Sequence, residues 1–265
     1  NGSTLRLDAA GALPGGNIAL NSGTFALNLG GAAFATDKVF TVAGASSFGN
    51  GGGDLSLTTP LAGTGSLAFV GAGTTALASD STFAGTVSVA TGGLIITAES
   101  ALGAELTVAT PAALTLTANG GLRTAVDLSL SANRGIALDR DSGGAFTPAT
   151  GKTLTVRGLV QVGVTSATTA TTKMTVTGAG TLSVGTASAP TNANIVIGYG
   201  QTTNVSSAGV LDLSGLSTFY ANLGTGTLLL GDNANSGGTA TAASSIIFAQ
   251  DSKVVATNIS TDTPS

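Results

Sequence analysis

The residues with the strongest claim to chemistry are Asp139, Arg140 and Asp141, with Arg134 just upstream, at the head of the insertion DRDSGGAFTPATG at 139–151. The 265-residue chain has no His and no Cys, so neither Ser-His-Asp and Cys-His nucleophile sites nor the common zinc sites can be assembled. Carboxylate, Lys and Arg chemistry is what remains. Two carboxylates about 5–10 Å apart can cleave a glycosidic bond, and acids mixed with basic residues suit a polysaccharide lyase. No second acidic cluster recurs one repeat away to build an open groove, so the run reads as a solvated loop whose charges pair locally.

Three other patterns carry weaker chemistry. Eleven Asp in a repetitive chain invite calcium, but the stacked G-G-x-G-x-D nonapeptide is absent and GGGDLSL at 51–57 is a single near-match. The run GNGGG at 49–53 lacks the Lys-Ser/Thr of a phosphate-cradling loop, and no helix pattern follows it. Thr107, Thr115, Ser129, Thr155, Thr175 and Ser183 alternate with apolar residues and point outward. That pattern suits either a hydroxyl surface for sugars, ice or protein, or simply a wet strand face. No catalytic, cofactor or metal residue is assigned.

The elements that must position these groups are strands. Charged residues make up 8% of the chain against roughly 25% in ordinary domains, while 42% of residues are hydrophobic, so the chain is expected to fold rather than stay disordered. Its apolar residues are mainly Ala, Val, Leu and Ile, interleaved with Thr and Ser, which suits closely stacked strands. A net charge of −4 without a basic cluster argues against nucleic acid. The longest apolar runs, such as LII at 94–96 and LLL at 228–230, are far short of a membrane span.

One phrase recurs: a turn residue, then apolar, any, apolar, as in GTFAL at 23–27, GSLAF at 65–69, GTVSV at 85–89, AELTV at 104–108 and GTLSV at 180–184. Period-two alternation is a strand with one buried face. Some copies come eight residues apart, as Leu106 and Leu114, Leu128 and Ile136, or Met174 and Leu182. The series Leu67, Val87, Leu106, Leu128, Leu154, Met174, Ile195 advances by 20, 19, 22, 26, 20 and 21 residues. A period near 20–22 is what one coil of an all-β parallel solenoid requires, with stacked coils burying what a single coil cannot. The alternative is an antiparallel β-sandwich or meander, each eight-residue pair being a hairpin. Glycine pairs such as Gly15-Gly16, Gly92-Gly93 and Gly120-Gly121 are expected at corners. The aromatic residues are read as core fillers, with Tyr199 and Tyr220 as candidates for exposure. Residues 1–265 are taken as one solenoid domain with a looser part at 186–265, expected to be a segment of something longer or to have its ends covered by other copies.

The span GTGSLAFVGAGTTALASDSTFAGTVSVATGGLIITAESALG at 63–103 resembles the autotransporter-associated β-strand repeat of bacterial surface and secreted proteins. Gly63, Gly65, Leu67, Phe83, Gly85, Thr86, Gly93, Leu94, Ala101, Leu102 and Gly103 carry the match, and Ala12-Leu13-Pro14-Gly15-Gly16 echoes it in part. The resemblance implies a right-handed parallel β-helix in an exported stalk, adhesin or surface fibre. The expected function is therefore non-enzymatic, extracellular, structural or adhesive, with self-association through uncapped edges or binding to matrix components or glycans. The competing classes are a carbohydrate-active enzyme on the same fold and a glycan- or ice-binding module. Leu67, Phe83, Gly85, Val87, Gly93, Leu94, Leu106, Leu114, Leu128, Leu154, Met174 and Leu182 are the expected structural repeat positions.

Overall fold

A computed structural model describes residues 2–11, 13, 15–78, 80–139, 143–165, 170–200, 207–232 and 244–261, and the chain divides into two compact units, Asn1–Glu105 with Gly120–Arg123 and Leu106–Asn119 with Thr124–Ser265. Among the described residues it is all-β apart from one 3-10 turn, Glu99–Leu102. The strand pairings given below are all parallel, which is the solenoid expectation and not the antiparallel meander.

Three ladders build the first unit. One contains β1 (Thr4–Leu7), β3 (Thr24–Leu27), β6 (Ala45–Asn50), β9 (Ser66–Val70) and β11 (Val87–Ala90). A second contains β4 (Phe34–Thr36), β7 (Leu55–Leu57), β10 (Thr74–Leu77), β12 (Gly93–Ile95) and β14 (Gly120–Thr124). The third is short: β2 (Ile18–Asn21), β5 (Phe40–Ala43) and β8 (Ala62–Gly63). Register partners lie close to one sequence period apart, as in Thr24 with Ser47, Leu67 with Val87, Phe34 with Leu55, Thr75 with Leu94 and Ile18 with Phe40. The exception is Leu94 with Leu122, because residues 106–119 intervene.

Alternation decides what these strands bury. Phe25, Phe48, Phe69 and Val89 are successive register partners, all buried, and Phe40 joins them from the third ladder. Phe40 meets Phe25 and Phe48 edge-on at centroid distances of 5.2 and 5.1 Å, while Phe48 and Phe69 stack at 5.8 Å with 12° between their planes. Both arrangements are favourable for aromatic rings and add about 0.5–1.5 kcal/mol per pair beyond area burial. Leu94 and Ile96 also point inward, past the corner at Gly92, which has φ +64°.

The second unit keeps parallel pairing but loses the period. Its ladders contain β13 (Thr110–Thr117), β16 (Arg134–Asp139), β19 (Val160–Thr165) and β22 (Ile195–Gly200); then β15 (Leu128–Leu130), β18 (Thr153–Val156) and β21 (Thr181–Val184). A further ladder holds β17 (Gly143–Pro148), β20 (Ala170–Val176), β23 (Ser207–Asp212) and β25 (Ser245–Ile247). Partners range from Leu114 with Ile136 to Leu182 with Phe219, so connectors of very different length separate them. The 15-residue β24 (Thr218–Asp232) runs unbroken through two ladders: its Thr218–Ala221 end pairs β21 and its Leu228–Asp232 end pairs β22. On its other edge lies β26 (Asp251–Thr261), with register shifts around Gly224, whose φ is +58°.

The eight-residue neighbours of the sequence are therefore not register partners, and the single series of apolar positions divides among ladders. Leu114 pairs Ile136; Leu128, Leu154 and Leu182 share one ladder; Met174 lies between Gly144 and Leu211 in another; Ile195 joins Val160 and Leu228 in a third. Leu106 is half-buried outside any strand, and AELTV at 104–108 forms none, with Val108 72% exposed. Gly120 and Gly121 lie within β14; the turn before it falls on Ala118 and Asn119, both at positive φ.

Candidate functional site

The repeat glycines of the first unit form columns at its corners. A Cβ added at Gly85 would run into the carbonyl oxygen of Gly65, and one at Gly65 into that of Gly44; Gly73 stands in the same relation to Gly53. Backbone from successive strands thus stacks too closely for any side chain, which explains the G-x-G spacing around Gly63 and Gly65 without invoking a ligand. Phe83, fully buried, fills the interior beside Gly103, whose Cβ position lies 3.1 Å from the Phe83 ring. Ala101 and Leu102 are buried in the 3-10 turn. Leu67 and Val87 are adjacent core positions, and Leu94 is fully buried. At Gly93 the guanidinium of Arg123 takes the space: its Nε lies 3.1 Å from where a Cβ would sit. Ala12 and Pro14 of the partial echo lie outside the described residues.

The charged run yields less than its density promises. Asp139 is the last residue of β16, while Arg140 and Asp141 lie outside the described residues. Arg134, at the start of the same strand, is 1% exposed. Asp54, the carboxylate of the calcium near-match, uses Oδ1 to accept a hydrogen bond from the Thr74 amide at 3.0 Å, across one ladder step. Among the described residues no three Asp or Glu side chains converge as metal ligands would. Within GNGGG, Asn50 is buried: its amide nitrogen donates to Thr75 Oγ1 at 3.3 Å and its Oδ1 accepts from the Gly73 amide at 3.1 Å, tying two corners together.

Among the described residues of the second unit, the acid with a shifted pKa is Asp212. Lys173 Nζ lies 2.7 Å from its Oδ2, and the Ser214 hydroxyl donates to Oδ1 at 2.6 Å. These two contacts hold the carboxyl at about 2, below its ordinary 3.8, against the opposing effect of burial. The pair links β20 to β23 and braces them.

The hydroxyl residues expected to face outward fall into the ladders unevenly, and Ser183 does not face outward: it is buried, its hydroxyl donating to the Gly185 carbonyl. Ser129, Thr155 and Ser183 are consecutive partners, but the column continues as Tyr220 and Lys253, with the Lys253 ammonium 6.0 Å from the Tyr220 ring centroid. Thr115 is followed by Ala137 and Gln161, Thr175 is a partner of Asp212, and Thr107 lies in the non-strand segment. Tyr220 is half-buried, and the Tyr199 side chain falls outside the described residues.

The more regular surface is one that the sequence reading did not single out. On the first unit, Thr4, Thr24, Ser47, Ala68 and Ser88 are successive partners, beside a second column of Arg6, Ala26, Gly49, Val70 and Ala90. Thr24 Oγ1 and Ser47 Oγ are 2.7 Å apart. Steps of 20–23 residues from Thr4 are the signal that would have found them. On the second ladder Ala35, Ser56, Ala76 and Ile95 form a similar column along a shallow groove of about 320 Å³ that Phe34, Asp54 and Thr74 also line. These surfaces offer small methyl and hydroxyl groups at strand spacing, suited to contact with another regular surface and poor in groups that could move a proton. Among the described residues no helix is long and apolar enough to cross a membrane. No family model, curated protein or solved structure matches the chain.

Proposed function

We propose that the chain is a non-enzymatic, extracellular structural or adhesive segment, a surface stalk, fibre or matrix filament subunit, built as a right-handed parallel β-helix of about 20–22 residues per coil where it is most regular. The observation that carries this reading is the pairing, on the same strands of the first unit, of a continuous buried column, Phe25, Phe48, Phe69 and Val89, with outward columns of small and mostly uncharged residues. Strands so arranged put their free energy into backbone ladders and stacked side chains. Such a surface gives proteases few charged or bulky side chains to grip and presents repeated spacing to a partner. Self-association or contact with matrix components follows from the same faces. The glycan-binding alternative draws on the groove beside Ala35, Ser56, Ala76 and Ile95.

Two measurements test it together. Purified protein viewed by negative-stain electron microscopy should give rods or fibres, and incubation with a broad glycan panel should leave every glycan intact. Cleavage of any panel member, lost on Asp139→Asn with Asp141→Asn, overturns the reading in favour of a carbohydrate-active enzyme.

A further inference from the structure

The seven large apolar side chains most exposed among the described residues are not spread evenly: Ile247, Phe248, Val255 and Ile259, four of them, lie on or beside β25 and β26. β26 pairs only β24, so among the described residues one side of its 11-residue backbone has no ladder partner. Natural edge strands are usually blunted by Lys, Pro, bulges or brevity. From Val254 to Thr261 β26 has eight residues with neither charge nor Pro. Its one cation, Lys253, leans over the Tyr220 ring of β24. The β1 and β2 edges of the first unit differ. Each strand has four residues, Arg6 and Asp8 form an ion pair at 2.7 Å at the end of β1, and the apolar Leu7, Ile18 and Leu20 are already buried.

This asymmetry selects the partner. A head-to-tail joint would set an apolar edge against one whose apolar residues are already covered. A two-fold joint sets apolar edge against apolar edge, and such a contact closes instead of propagating. We infer that two copies of this chain pair through β26, antiparallel and edge to edge, with Val255 and Ile259 at the contact. Antiparallel pairing over the whole of β26 supplies on the order of ten main-chain hydrogen bonds, as many as a standard protein interface carries. The inference rests on the structural reading above and names its partner as a second copy and its product as a dimer.

Sedimentation over a concentration series is expected to show a monomer–dimer equilibrium. Val255→Lys with Ile259→Lys places like charges on both sides of the two-fold axis, and the dimer constant should weaken about a hundredfold or more. Both side chains are exposed, so the variant should fold, which an unchanged circular dichroism melt checks. Independently, β26 amides should gain hydrogen-exchange protection as concentration rises, while those of β1 and β2 should not. A monomer throughout overturns the inference, as does a dimer indifferent to the lysines. Protection of β26 that ignores concentration assigns the edge to another segment and also overturns it, as do open strings with β1 and β2 protected. A monomer that leaves the glycan panel intact removes the pairing alone, whereas glycan cleavage removes the structural reading whatever the oligomeric state.

Discussion

The two units solve the same problem under different constraints. In the first, backbone stacks on backbone at the corners, Gly65 over Gly44 and Gly85 over Gly65, and register partners recur at nearly constant spacing. In the second, backbone also stacks on backbone, at Gly135 over Pro111 and at Gly158 over Arg134, yet partners drift from 22 residues apart, Leu114 with Ile136, to 37, Leu182 with Phe219. Both keep apolar residues stacked on apolar residues. The difference teaches that stacked side chains and close corners hold the ladders, while the length of the connectors between strands sets the period, and a chain can relax the second without losing the first.

The sharpest way to break this comparison is through the aromatic cluster. Phe48→Ala removes the ring that touches Phe25, Phe40 and Phe69, and should cost about 3–5 kcal/mol in urea unfolding. A loss below 1 kcal/mol would mean the rings are not what holds the first unit. A middle-sized effect separates the corners. Gly85→Ala forces apart two backbones and should cost about 2–3 kcal/mol. Gly151→Ala meets nothing within 4 Å and suffers only from its φ of +70°, so about 1 kcal/mol is expected. Equal costs would erase the proposed distinction.

The smallest effect concerns the brace of the second unit. The folded Asp212 carboxyl, held at about 2, lies below its ordinary 3.8, so the Lys173 pair contributes stability above about pH 4 and loses it as pH falls towards 2. Lys173 is half exposed, which limits the contribution to less than about 1 kcal/mol. Lys173→Met should therefore lower the urea midpoint slightly at pH 5, with the gap from wild type shrinking as pH falls towards 2. A gap of the same size at pH 5 and pH 2 would assign the effect to lost packing of the lysine stem.

How much of this was legible from the residues follows from the same distinction. Leu67 and Val87, the glycines at 63, 65 and 85, and the inward pointing of Val89, Leu94 and Ile96 could be read because the first unit repeats at nearly fixed length. Met174 was set in one series with Leu154 because every ladder uses the same alternation; period two says which face is buried but not which ladder a strand joins. AELTV at 104–108 has the strand pattern but finds no partner strand, a non-local matter that five residues cannot encode. The outer column from Thr4 to Ser88 includes Ala68, so a hydroxyl pattern alone does not reveal it, and beyond residue 106 the ladders mix Ala, Gln and Tyr into the same rows.

β24 carries a mechanical consequence. Its two halves are fastened to different strands, β21 and β22, and its opposite edge to β26. A pull along its axis loads the bonds to both β21 and β22 in shear at once, whereas the short strands of the first unit can each be unzipped in turn. Under such a load, β24 is where rupture should come last.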